Sequence, residues 1–202
     1  MRRRGDPAMA EARGRSAPTI RLVAFLRAIN VGGHNVTMEE LRAHFKALGF
    51  KRVETFIASG NVIFETPSAD ATALERKIEG HLRKSLGYEV RTFIRTESEL
   101  VAIARYRPFD EAQLRSARAF NVAFLAEPVK VAAKKSLMTL KTEIDDFHVH
   151  GREAYWLCRK KQSESMFFKV GFERILGARV TVRGMNTVVR LAARYAGSAA
   201  GG

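Results

Sequence analysis

The chain has 202 residues and a mass of 22.6 kDa, with 46% hydrophobic and 28% charged residues, a balance typical of a globular protein with a sizeable core. Its formal charge of +14 makes nucleic acid, acidic membrane surfaces and phosphorylated ligands candidate partners, while solubility alone is another use for that charge. No apolar run reaches the length of a membrane span, no apolar segment follows the N-terminal arginines as a secretory signal requires, and the lone Cys158 excludes an intrachain disulfide, so a reducing cytoplasm is the expected setting.

Residues 1–18 carry five arginines against Asp6 and Glu11, a net +3 that leaves +11 on the body of the chain. They lack apolar periodicity and are expected to be disordered, as is the tail 196–202. The first strand is expected over 20–27, running into the turn Ala28–Asn35 with Gly32 and Gly33. A helix follows over 37–48, where Thr37 and Glu40 have capping-box spacing and Gly49 supplies the stop. Strands over 53–57 and 62–66 flank Ala58-Ser59-Gly60-Asn61 as a hairpin, and a helix over 69–86 ends at Gly87. The strand 88–95 completes a βαββαβ order over 19–96, the ferredoxin-like arrangement.

Residues 97–118 read as a connecting segment that opens with a helix over 97–104, since Thr96 and Glu99 repeat the capping-box spacing. The same order then recurs over 119–195: a strand over 119–126, a helix opened by Pro128 and running to Leu140, and a hairpin of 144–150 and 152–158. Helical stretches over 163–176 and a strand over 179–183 complete the repeat, and Asn186 or Thr187 is expected to cap a last helix. The expectation is an α+β protein of two ferredoxin-like halves. The first strand is apolar on both faces, Leu22, Ala24 and Leu26 on one and Val23 and Phe25 on the other, so its sheet must be covered twice. One cover is its own helix pair, and the other is the connecting helix, the last helix or the second half.

Four separated blocks, Phe25–Gly33, Ile57–Phe64, Val149–Tyr155 and Thr181–Thr187, resemble a family catalogued as domain of unknown function 1697, over about residues 20–195. The resemblance implies a small bacterial α+β protein with a ferredoxin-like element, and it supplies neither an activity nor a cofactor. Two positions depart from the family pattern. Gly184-Met185 stand where Asn and Trp are usual, and Ser165-Met166 where a Ser-Lys pair is usual.

No catalytic triad, nucleotide fingerprint or closely spaced metal cluster stands in the sequence. In a sheet of order 4-1-3-2 the end of strand one and the hairpin of strands two and three share an edge, which brings Arg27, Asn30, Gly32 and Gly33 near Ser59, Gly60 and Asn61. A guanidinium, two amide side chains, a hydroxyl and glycine amides suit a phosphate or carboxylate. The competing reading is that these residues tie their own loops, with Glu54, Glu65 or a carbonyl receiving Arg27. Arg152, Arg183, Asn186 and Thr187 are secondary candidates.

Asp146, His148 and His150 alternate on one strand, but no matching second pair accompanies them, so no metal is expected. The basic stretch Arg159-Lys160-Lys161, Lys169 and Arg174 interleaves Phe167, Phe168 and Phe172, which read as the buried face of a helix with the lysines solvated. Cys158, among Tyr155, Trp156 and Leu157, reads as core. The expected function is binding of an anionic small molecule or of nucleic acid, without a cofactor. An enzyme acting on such a ligand and a protein-interaction module are the alternatives. Composition leaves the oligomeric state open.

Overall fold

The computed structural model describes residues 18–57 and 60–196; residues 1–17 and 197–202 of the tails, and Ala58 and Ser59 of the first hairpin, lie outside the described residues. The first half comprises β1 (Ile20–Arg27), α1 (Met38–Ala47), β2 (Lys51–Thr55), β3 (Asn61–Thr66), α2 (Ala71–Leu86) and β4 (Arg91–Thr96). Its strands form an antiparallel sheet of order β2-β3-β1-β4. Local chemistry sets the helix ends. The Thr37 hydroxyl accepts the Glu40 amide at 3.2 Å while the Glu40 carboxylate accepts the Thr37 amide at 2.8 Å, and Gly87 closes α2 in the left-handed region.

The second half follows α3 (Glu97–Arg105) and α4 (Glu111–Ser116) with β5 (Ala119–Phe124), α5 (Val131–Met138), β6 (Asp145–His150), β7 (Glu153–Cys158), α6 (Met166–Leu176), β8 (Thr181–Gly184) and α7 (Met185–Ala196). Its sheet order, β6-β7-β5-β8, is that of the first half position for position. The fold is therefore α+β with two βαββαβ halves, and the duplication reaches the sequence itself. Val23-Ala24-Phe25-Leu26 and Val122-Ala123-Phe124-Leu125 occupy equivalent places, Phe25 facing Asn61 and Phe93 on its neighbours as Phe124 faces Glu153 and Thr181.

Several boundaries differ from expectation for local reasons. The connecting segment holds a second helix, α4, started by an Asp110–Gln113 capping box. Pro128 does not open α5, which begins at Val131 behind Lys130 without a side-chain cap bond. The expected helical stretch 163–176 is a 3-10 turn over Gln162–Glu164 followed by α6, which kinks at Gly171. The last helix starts at Met185, so Asn186 and Thr187 sit in its first turn instead of capping it.

Three apolar clusters account for the layers. Leu22, Leu26 and Phe64 pack under α1 and α2 with Leu41, Phe45, Ile78 and Leu82, and Ala123, Phe147 and Trp156 pack with Leu137, Phe167 and Phe172 of α5 and α6. Between the sheets, Val23, Phe25, Ile63 and Phe93 meet Val122, Phe124, Tyr155 and Leu157, with α3 and α7 closing the sides. The second cover of the first sheet is thus the other half and both helices together. Phe25 and Phe124 stack at 4.1 Å on this internal pseudo-twofold.

The same symmetry sets two buried arginines. Arg95 of β4 donates its Nε–H to Glu153 at 2.7 Å and a terminal N–H to the Leu125 carbonyl at 2.8 Å. Arg183 of β8 reaches the other way, to Asn61 at 2.6 Å and the Leu26 carbonyl at 2.8 Å. Each donor and acceptor has its counterpart across the axis, except that a carboxylate stands on one side and an amide on the other. Burial lowers the Arg95 pKa, opposed by Glu153, and brings Arg183 down to about 10.

Candidate functional site

β1 leaves its sheet beside the β2–β3 turn, as the topology requires: the Leu26 amide donates to the Gly60 carbonyl at 2.8 Å. Gly60 has φ of +74°, and a Cβ there would lie 2.8 Å from the Ile29 side chain, so only glycine lets the two loops approach this closely. Ala28 (φ 64°) and Ile57 (φ 59°) hold left-handed backbone without being glycine, local strain concentrated at this end of the sheet. The loop beyond is braced by its own groups. Asn30 Oδ1 accepts the Val36 amide at 2.7 Å, Tyr88 donates its hydroxyl to the Ile29 carbonyl at 2.7 Å, and His34 stacks on Tyr88 at 3.8 Å. Gly32 (φ 64°) and Gly33 (φ 86°) follow one another in the left-handed region and are exposed, and among the described residues neither amide has a hydrogen-bond partner.

Arg27 ends β1 at the wall of a cavity of about 370 Å³ formed by residues 26–31 and 180–183. Its acceptor is Glu173 of α6, at 2.8 Å, in the other half of the molecule, and neither Glu54 nor Glu65 fills that role. Arg179 approaches the same Glu173 oxygen at 3.6 Å, while the second oxygen accepts the Val180 amide at 3.0 Å. Glu173 and Arg179 are the residues that sequence reasoning missed. They lie far along the chain, and only the duplicated arrangement of halves signals that α6 meets the end of β1.

The other candidates divide. Gly60 joins the Arg27 turn as expected, and Ser59 lies outside the described residues. Asn61 is close in space but fully buried, its Nδ2 donating to the Phe56 carbonyl at 2.8 Å and its Oδ1 accepting from Arg183. Asn61 and Arg183 therefore hold the two halves together and do not face solvent. Arg152 is held by Glu99 at 2.6 Å; burial pushes the Glu99 pKa up, but the Thr96 amide bond and then Arg152 outweigh it and hold the pKa low. Asn186 is exposed on α7, and Thr187 follows it.

Asp146 is drawn to Lys141 at 2.7 Å, while Tyr106 holds both histidines, its hydroxyl 2.8 Å from His148 and its ring stacked on His150. Phe167 and Phe172 are buried as a helix face should be, but Phe168 is exposed. Cys158 is buried with its Sγ 3.3 Å from the Lys160 carbonyl, and desolvation raises its pKa. No helix among the described residues is long and apolar enough to cross a membrane.

The model of a family described as "Protein of unknown function (DUF1697)" matches residues 20–155, stopping short of the Thr181–Thr187 block. No curated protein matches the chain. Among solved structures, the conserved bacterial protein SP0830 from Streptococcus pneumoniae is similar with a TM-score of 0.69 and 22% identity, over 88% of this chain and 98% of that one. At that identity the likeness concerns the fold.

Proposed function

The chain belongs to the DUF1697 family of proteins of unknown function, and on that footing we propose that it binds a phosphate-bearing or otherwise anionic ligand where β1 leaves the first sheet. The observation that carries this reading is the arginine pair: Arg27 and Arg179 converge on one Glu173 oxygen, at 2.8 and 3.6 Å. One carboxylate neutralises one guanidinium, so the Arg27–Glu173–Arg179 cluster at the edge of the cavity keeps a surplus positive charge, and the partly exposed arginines can turn to a ligand oxygen. The exposed amides of Gly32 and Gly33 add donors on the same loop. An enzyme here would need a base, and the loop's histidine, His34, stacks on Tyr88 with no carboxylate among the described residues to orient it. Nucleic acid is the second reading, favoured by the +11 carried outside the N-terminal tail. A cytoplasmic setting, as the single buried thiol suggests, offers both classes of ligand.

Thermal shift across phosphate-bearing metabolites and short DNA and RNA strands, each over a salt series, tests the proposal. A ligand of the native state raises the melting temperature, and Arg27→Gln with Arg179→Gln removes the response. Because exposed ion pairs contribute about 0–1 kcal/mol, the unliganded double variant melts within about 4 °C of the parent. A response that survives the double substitution overturns the proposal.

A further inference from the structure

We propose that the cavity at the N-terminal end of α7 is a second binding site, one that takes the phosphate group of a small organic molecule. It lies at the far end of β8 from Arg27, has a volume of about 460 Å³, and includes Asn121, Gln162, Arg118, Met185 and Asn186 in its wall. This inference stands independently of the Arg27 site.

Comparison of the two halves exposes the site. The pairing registers make α7 the counterpart of α3, with Gly184 in the place of Thr96 and Thr187 in the place of Glu99. Thr96 and Glu99 form a capping box that satisfies the first amides of α3. In α7 that box is gone, the first turn has no acidic residue, and among the described residues no side chain accepts from the amides of 185–187. The positive end of a 12-residue helix is left open to the cavity.

A second observation points to a ligand. Asn121 occupies the position that Leu22 fills in the first half, so a polar amide stands where the fold places an apolar side chain. It is 7% exposed, and its buried Nδ2 has no hydrogen-bond partner, while Oδ1 accepts only a long bond of 3.4 Å from Gln162. Leaving a buried amide donor unsatisfied is costly, and an oxyanion in the cavity would receive it. Arg118 adds an exposed guanidinium with no side-chain partner among the described residues. None of the residues lining the cavity is acidic. Helix amides, an amide side chain and a guanidinium all donate, which selects an oxyanion, and Leu114, Phe120 and Met185 supply apolar wall for the organic remainder.

The test is an amide NMR titration of the full chain with inorganic phosphate, against chloride at matched ionic strength. Phosphate is expected to shift the amides of Met185, Asn186 and Thr187 and the Asn121 side-chain NH2. Asn186→Asp puts a negative charge in the first helical turn, so it should raise the unliganded melting temperature by about 1–4 °C while weakening phosphate at least about tenfold. Asn121→Leu, which copies the first half, should keep the fold and weaken phosphate about tenfold. Arg27→Gln should leave these shifts untouched, which separates failure of this site from failure of the site at β1. Phosphate shifts absent from α7, or unchanged in both Asn121→Leu and Asn186→Asp, overturn the proposal.

Discussion

Replacing Arg95 with alanine should destabilise both halves of the molecule together. Arg95 is 1% exposed, ion-paired to Glu153 at 2.7 Å, and also donates to the carbonyls of Ile94, Leu125 and Arg152. Removing it strands a buried carboxylate and carbonyls from the other half, a loss of about 3–5 kcal/mol. For a chain of this size that lowers the melting temperature by roughly 6–20 °C. Glu153→Gln is a milder change, because it leaves an acceptor and reproduces the neutral arrangement that Asn61 gives Arg183; it should cost about 1–2 kcal/mol. Arg95→Met combined with Glu153→Leu should recover at least about 1 kcal/mol relative to Arg95→Met alone, since no charge is then left unpaired. Urea unfolding followed by the fluorescence of Trp156, the only tryptophan and a residue of the second half, and by circular dichroism from both halves, measures these costs. The reasoning fails if Arg95→Ala costs no more than about 0.5 kcal/mol, as a surface change would, or if the Trp156 transition stays at its wild-type midpoint.

Gly60→Ala should destabilise by about 1–3 kcal/mol, because the added methyl meets the Ile29 side chain at 2.8 Å and the φ of +74° is unfavourable, and denaturation midpoints will show it. Stability should also fall as pH drops from about 7.5 to about 5.5. His81, 3.2 Å from His44, has its pKa lowered by burial and by His44, and burial lowers that of His148, so in this window the unfolded chain binds more protons. The loss begins as pH passes below the unfolded histidine value and levels off below the folded ones. His81→Gln should flatten the decline, whereas Glu75, whose pKa burial raises, contributes with the opposite sign at lower pH.

Both βαββαβ orders were legible because each element carries its own local signal. The Thr37–Glu40 and Thr96–Glu99 boxes, the stop at Gly87 and the two apolar faces of β1 need no tertiary knowledge. What escaped depends on partners distant in sequence. Arg183 reads in sequence as a secondary ligand candidate and Arg95 carries no signal of its own, and only the packing of sheet on sheet makes them the crossed bonds of the interface. Arg27 could be recognised as needing an acceptor, but its acceptor, Glu173, sits 146 positions away on a helix of the other half. Asn61 carries hairpin chemistry in the sequence, and its burial follows from facing Arg183 across the pseudo-twofold. The repeated Val-Ala-Phe-Leu is visible in the sequence and aligns the halves, which makes Asn121 the polar substitute for Leu22.

The most direct measurement is an amide NMR titration of the full chain with pyrophosphate, followed at the end of β1. Anion binding between Arg27 and Arg179 predicts saturable shifts at Arg27, Gly32, Gly33 and Arg179 that disappear in Arg27→Gln with Arg179→Gln while the rest of the spectrum stays native. Amides at 27–33 and at Arg179 that do not move, or that move equally in the double variant, would contradict it.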